Sequence, residues 1–224
     1  MKTYRFEIIL AAVFLALYLG FASFHAPHNA LSQTEVDGYI STLENSMPWP
    51  ADEKAEVIRH LRAWGEADDG QPVYMLNLMR YQKALRPLPE VAGFNGTPAQ
   101  ANAYYEEHVM PILFGLGAYP LFASTMQGVL GGAAPSTNLI TFDPAIDNWD
   151  SVLVVRYPSR RAFLALISDP EYIKYVPYKA ASVLVGLTPM KGEVIVPPLN
   201  WLLAACLLMV FLGVGWLRAV RRAR

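Results

Sequence analysis

Two uncharged apolar runs bracket a stretch of ordinary mixed pattern. Residues 8–24 hold 17 positions without a charge and residues 194–217 hold 24, against the roughly 20 apolar residues that carry a helix across a bilayer. The pattern predicts one transmembrane helix within residues 1–24 and a second, with a basic tail, within 194–224. Between them, residues 31–70 read as a helical preface. Val57, Ile58, Leu61 and Trp64 fall on one stripe of a helix over 51–67, with Pro50 suited to its entry and Asp52 and Glu53 favourable in its first turn. Asp68, Asp69 and Gly70 end it.

Residues 71–193 alternate between two periodicities. Residues 72–81 form a strand that is apolar on both faces, and 83–96, with Pro87, Pro89, Gly93 and Gly96, form a loop. Thr97-Pro98-Ala99-Gln100 supplies a capping box with proline at the first helical position, opening a helix to about Leu116 that Gly117 stops. Its expected core stripe is Tyr105, Val109, Ile112 and Leu116, with a bend at Pro111. A strand over about 119–129 and a turn-rich stretch through Gly131, Gly132, Pro135, Pro144 and Asn148 lead to the clearest strand, 152–157. Ser159 caps a short helix carrying Phe163, Leu164 and Ile167. Asp169-Pro170-Glu171 starts another, which Pro177 is expected to bend or end. The last strand spans 183–187.

The order β-α-β-β-α-β is the ferredoxin-like arrangement of an α+β domain. Two helices can cover one face of a four-stranded sheet. The other face, lined with Val, Leu and Met, calls for a partner, and the economical one is a second copy of the chain. The expected architecture is a homodimeric α+β domain between two membrane helices.

Charge fixes the expected orientation. The formal net charge of −1 divides into basic ends, six Lys and Arg against Glu7 alone, and an acidic middle, 12 Lys and Arg against 18 Asp and Glu over residues 25–193. Basic flanks stay cytoplasmic, so both termini are expected inside an inner membrane and the 169-residue middle outside, in the periplasm or extracellular space. A cleaved signal peptide is the competing reading of the first run, with Gly20 and Ala22 at the small positions of a cleavage site. The acidic middle repels phosphate backbones, so nucleic acid is not an expected partner. Cys206 lies inside the second run, which leaves the outer domain without a disulfide.

Val73-Tyr74-Met75-Leu76-Asn77-Leu78, Trp149-Asp150 leading into Val152-Leu153-Val154-Val155-Arg156-Tyr157-Pro158-Ser159, Phe163-Leu164, and Ser168-Asp169-Pro170-Glu171-Tyr172 make residues 72–188 similar to the family called domain of unknown function 1330. The resemblance implies the dimeric α+β barrel fold, shared with cofactor-free monooxygenases, muconolactone isomerases and haem-handling proteins, with a small pocket between sheet and helices of each subunit. It implies no particular reaction. Where the family is expected to carry His-Arg after the Asp-Pro-Glu-Tyr helix, this chain has Tyr178-Lys179. The two apolar ends are additions to the usual soluble form.

Candidate ligand-binding residues are polar groups on elements that can face such a pocket. Asn77 sits mid-strand and needs hydrogen-bond partners if buried; it could orient a ligand or tie down a loop. Arg156 could hold a carboxylate by its planar fork, or pair with Asp150 or Glu171. His108, after Glu106 and Glu107, is a possible general base or a helix-edge residue. Tyr105, Tyr172, Tyr175 and Tyr178 could build an aromatic wall or pack with wet hydroxyls. The expected pocket is Asn77, Tyr105, His108 and Arg156 against an apolar wall of Met75, Phe163 and Tyr172.

His25 and His28 fall short of a zinc ligand set, and no nucleotide loop, nucleophile elbow or haem-attachment motif occurs; no metal or cofactor is expected. Two functions remain. One is a dimer held in the lipid bilayer by its two helices that binds a small ligand or serves as an accessory subunit beside other membrane proteins. The other is a cofactor-independent oxygenase or isomerase acting on a small apolar or aromatic compound.

Overall fold

A computed structural model of the chain describes residues 5–47, 51–129, 136–140, 148–193, 195–197 and 199–222. The expected helix entry at Pro50 and the turns at Gly131, Gly132, Pro135 and Pro144 lie outside the described residues. Two compact units result, residues 1–191 and 192–224. The second carries helix α7, Leu199–Arg222, whose 24 residues are all unburied and which bears the exposed Cys206. Helix α1, Arg5–Phe24, is likewise unburied over its 20 residues. Both are long and apolar enough to cross a membrane, where a helix satisfies its own backbone without water.

The remainder of the first unit is built on one sheet. Strands β1 (Val73–Tyr81), β2 (Tyr119–Thr125), β3 (Ser151–Tyr157) and β4 (Val183–Met190) pair antiparallel in the order β2-β3-β1-β4. Helix α4 (Pro98–Gly115) joins β1 to β2, and α5 (Arg160–Ile167) and α6 (Pro170–Ser182) join β3 to β4. Sequence chemistry starts each helix. Thr97 and Gln100 close the expected capping box on α4, Ser159 accepts from Ala162 N on α5, and Asp169 accepts from Glu171 N and Tyr172 N on α6.

Strand side chains alternate in facing. Val73, Met75, Asn77 and Met79 of β1 are buried on the helix side, while Tyr74, Leu76, Leu78 and Arg80 point to the other face and stay partly exposed. Register carries the division across the sheet. Met75 opposes Val155 and Asn77 opposes Leu153 on the inner face; Tyr74 opposes Arg156 and Leu76 opposes Val154 on the outer.

The preface consists of α2 (Gln33–Ser46), opened by a Ser32–Glu35 capping box, and α3 (Ala51–Glu66). It packs on the helix layer. Val36, Ile40 and Leu43 of α2 are fully buried in the same core as Leu164, and Trp64 meets Phe163 edge to face at 5.5 Å. The outer face of the sheet therefore gains no cover from the preface.

The segment after α1 is held against this domain. His25 donates from Nδ1 to the Gly117 carbonyl at 2.8 Å and meets Tyr119 edge to face at 5.4 Å, and His28 N donates to Gly70 O at 3.1 Å. Gly70 and Gly117, each at φ +71°, mark these two approaches. A Cβ would collide with His28 O at the first and stand 2.8 Å from Phe24 O at the second.

Three expectations change. The buried row of α4 is Tyr105, Val109 and Leu113 instead of one running through Ile112 and Leu116, because an i, i+4 row follows the contact with the sheet and the helix ends at Gly115. Pro177 neither ends nor shortens α6, which continues to Ser182. Proline removes a single ladder bond, and Pro177 is fully buried within the packed layer. The last strand runs on to Met190 and includes Pro189; β4 is an edge strand, where proline is tolerated.

Candidate functional site

A cavity of about 140 Å³ lies between the inner face of the sheet and the helices. Its walls are mostly apolar: Leu153 and Val155 from β3, Val109 and Leu113 from α4, Phe163 and Leu166 from α5, with Val57 and Leu61 of α3 closing one side. Asn77, Tyr105, Glu106, Tyr157, Tyr172 and Lys179 bring the polar atoms to it.

Asn77 is 5% exposed, so its amide must be satisfied within the protein. Its Nδ2 donates to Met75 O at 3.2 Å and to Leu153 O at 3.3 Å. Two carbonyl acceptors fix which end of the amide is nitrogen, and Oδ1 is thereby turned to Lys179, whose Nζ donates to it at 3.1 Å. Lys179 reaches this point because α6 continues past Pro177. Tyr172, Val176 and Lys179 fall at i, i+4 and i+7 on one helix face, and all three line the cavity.

The Lys179 ammonium also stands 5.3 Å from the centre of the Tyr105 ring. Among the described residues no carboxylate forms an ion pair with it. Burial pulls its pKa down from 10.5 to about 8, opposed by the charge of Glu106. Glu106 is itself engaged, accepting from Asn102 Nδ2 at 2.9 Å.

Three tyrosines complete the polar lining. Tyr105 and Tyr172 meet edge to face at 6.0 Å between ring centres, with hydroxyls close enough to couple. Burial raises the pKa of Tyr105, Tyr157 and Tyr172 alike, so all three are neutral phenols able to donate a hydrogen bond at any ordinary pH. A mainly hydrophobic hollow with an amine, an amide and phenols converging on it can hold a small apolar molecule and grip one oxygen of it.

Of the residues singled out from the sequence, Met75, Asn77, Tyr105, Phe163 and Tyr172 line this cavity. Arg156 and His108 do not, and that part of the expected pocket is corrected. Arg156 occupies the outer face, one residue out of phase with Val155. Its Nη2 donates to His25 O at 3.1 Å, its guanidinium lies 5.7 Å from the Tyr119 ring centre, and its Nη1 is buried with no partner among the described residues. Neither expected carboxylate reaches it: Asp150 accepts from Tyr81 N at 2.6 Å and Glu171 faces Lys174 at 3.4 Å. His108 stands three residues beyond Tyr105, off the buried row. It donates to Tyr104 O at 2.8 Å and stacks on Tyr175 at 4.1 Å.

Tyr175 and Tyr178 pack with Tyr104 at 5.8 and 4.8 Å, outside the cavity. Among the described residues no group of His, Cys, Asp and Glu is arranged to hold a metal ion. Lys179 and Glu106 are not among the residues expected at the pocket. Lys179 enters the sequence reading only as a departure from the family's His-Arg; its spacing from Tyr172 places it on the same helix face once α6 continues past Pro177.

With this geometry in place, comparison with known proteins adds a fold and little chemistry. No protein-family model matches the chain, and no curated protein does. Among solved structures it is similar to the RPA0582 protein of unknown function from Rhodopseudomonas palustris, at 27% identity and a TM-score of 0.50 over 67% of this chain and 100% of that one. The methylated form of RPA0582 gives 28% identity, a TM-score of 0.50, and 66% and 96% coverage. SnoaB, a cofactor-independent oxygenase from Streptomyces nogalater, aligns at 12% identity and a TM-score of 0.34 over 57% of this chain and 99% of that one. The RPA0582 likeness fits an α+β barrel domain.

Proposed function

We propose that this is a two-pass membrane protein whose α+β domain, of ferredoxin-like topology and akin to the domain of unknown function 1330 family, binds a small, mainly apolar molecule bearing one polar oxygen. The observation that carries the reading is the cavity itself: about 140 Å³ of mostly hydrophobic lining into which Lys179, Asn77 and the Tyr105–Tyr172 pair converge. An apolar cavity of about 150 Å³ takes up a molecule the size of benzene, which sets the ligand class. Basic flanks support cytoplasmic termini and an outer domain.

The outer sheet face supports a homodimer. Phe122 and Leu184 are 55% and 42% exposed and, with Leu76, Leu78 and Val154 between them, form an apolar face that a second copy would cover in an isologous contact. A role as accessory subunit of a larger membrane assembly remains the same domain in a different setting.

The test is thermal unfolding of the full chain in detergent against small aromatic acids, phenols and ketones. A ligand at 100 times its Kd adds about 2.7 kcal/mol to stability, and Asn77→Ala and Lys179→Met should each remove most of the shift. No stabilisation by any such compound, with nothing small extracted from the purified protein, would overturn the reading. For topology, a Ser136→Cys label that reacts only from the cytoplasmic side overturns the orientation.

A second reading, a cofactor-independent oxygenase or isomerase, is favoured by one observation. An amine that gives up its proton near pH 8 is a usable general base within an apolar site. Proton exchange at the α-carbon of a bound ketone would support it.

A further inference from the structure

We propose that Lys179 captures small aldehydes or ketones in the cavity as a reversible imine on its Nζ. The inference rests on the reading of the cavity as a ligand site and names the class of molecule it holds. The geometry behind it is the placement of a primary amine at the wall of a mainly apolar hollow, with one N–H committed to Asn77 Oδ1 at 3.1 Å and the ring of Tyr105 5.3 Å away. No ion pair among the described residues ties the nitrogen up. Asn77 is held by two backbone carbonyls, so it positions the amine without following it.

The step is balanced without any further reactant. The Nζ lone pair attacks the carbonyl carbon, and the carbonyl oxygen takes up both amine hydrogens and leaves as water. The C=O bond is exchanged for C=N, with no change of oxidation state. The neutral phenols that line the cavity, Tyr105, Tyr157 and Tyr172, are hydrogen-bond donors able to polarise the carbonyl oxygen. Expulsion of water is favoured by the apolar lining from β3, α4 and α5.

Protonation supports the chemistry. The groups facing Lys179 are Glu106 and Tyr105 from α4, Tyr172 from its own helix, Tyr157 from β3 and the uncharged Asn77 from β1. Only Glu106 favours the ammonium, and burial outweighs it. With a pKa of about 8, about a quarter of the Lys179 side chains are neutral at pH 7.5, against about one in a thousand for an ordinary lysine.

The experiment treats the full chain in detergent with benzaldehyde and sodium cyanoborohydride at pH 7.5, and maps reduced adducts by peptide mass spectrometry. Thermal shifts with benzaldehyde and with benzyl alcohol, which has no carbonyl, are measured in parallel. The expected result is an adduct at Lys179 formed at least tenfold faster than at the exposed Lys83, Lys174 and Lys191. Excess benzyl alcohol should suppress it, and it should be absent from a Lys179→Met protein that still melts cooperatively. If both compounds stabilise the protein and Lys179 stays unmodified, the imine is overturned and the ligand cavity stands. If neither stabilises it and labelling is confined to the exposed lysines, both proposals fall.

Discussion

The two faces of the sheet are made from nearly the same side chains and have different fates. Met75, Val155 and Met79 are at most 4% exposed on the inner face. Their sequence neighbours Leu76, Leu78 and Val154 remain partly open on the outer. The inner face also buries Asn77 and satisfies it with the half-buried Lys179 amine, whereas the outer carries Arg156 beside Tyr119, with Nη1 left unpartnered among the described residues, and Arg80 5.8 Å from the Trp149 ring centre. Hydrophobicity alone therefore does not distinguish a face that builds a site from one that builds a contact. What distinguishes them is whether polar groups are brought in and satisfied among the apolar ones.

The largest expected effect lies on the outer face. Val154 stands between Leu76 and Phe122 in the sheet, at the middle of the proposed dimer contact. Val154→Asp would place two like charges near one another in a dry interface, a penalty of several kcal/mol. Association should weaken more than about 100-fold, so that light scattering of the detergent-solubilised chain gives the protomer mass with unchanged circular dichroism. A variant that stays dimeric removes this face from the contact.

The inner face should respond in stability instead. Met75→Ala, at a position 3% exposed, is expected to lower unfolding free energy by about 3 kcal/mol. Leu76→Ala next to it should lose under about 1 kcal/mol when measured in the monomeric Val154→Asp background. Equal losses from the two substitutions would mean that both faces are buried within one chain.

Lys179 sharpens the contrast through pH. In the unfolded chain it is charged up to about pH 10.5, and in the folded protein only up to about pH 8. The folded state thus binds fewer protons between those values, and stability rises with pH across that window. Below pH 8 the penalty of holding the cation is fully present, on the order of 3 kcal/mol. Above pH 10 the buried tyrosines act in reverse, since their raised pKa values make ionisation favour the unfolded chain. Lys179→Met should therefore be more stable than the parent by about 2 kcal/mol at pH 7, allowing about 1 kcal/mol for the lost bond to Asn77. The gap should close towards pH 10 in denaturant titrations. A gap independent of pH would mean that the ammonium is solvated.

Particular residues show what the sequence made legible. The succession of strands and helices along the chain, the helix starts and the two apolar ends follow from periodicity and caps, which are local: Thr97 with Gln100, Ser159 and Asp169 act within three residues of themselves. That Met75 and Asn77 share one face follows from alternation, but which face meets the helices does not, because both phases of β1 are apolar. Arg156 was misplaced for that reason, its phase relative to Asn77 depending on the β1–β3 register. Lys179 depends on a choice the sequence leaves open, whether Pro177 bends α6 or ends it, and the helix continues to Ser182.

The smallest expected effect tests the residue that the sequence placed in the pocket and the fold placed outside it. His108 stacks on Tyr175 with 23° between ring planes and donates to a carbonyl of its own helix. His108→Phe keeps the ring contact and loses one hydrogen bond at a half-exposed site, so stability should change by less than about 1 kcal/mol. Because the side chain does not line the cavity, the thermal shift produced by any compound that occupies it should be the same in His108→Phe as in the parent. Asn77→Ala, by contrast, frees Lys179 and should remove most of that shift. If His108→Phe abolished the shift while melting normally, the ligand would sit against the Tyr104–Tyr175 cluster, and the apolar cavity on the inner face would be packing space instead of a site.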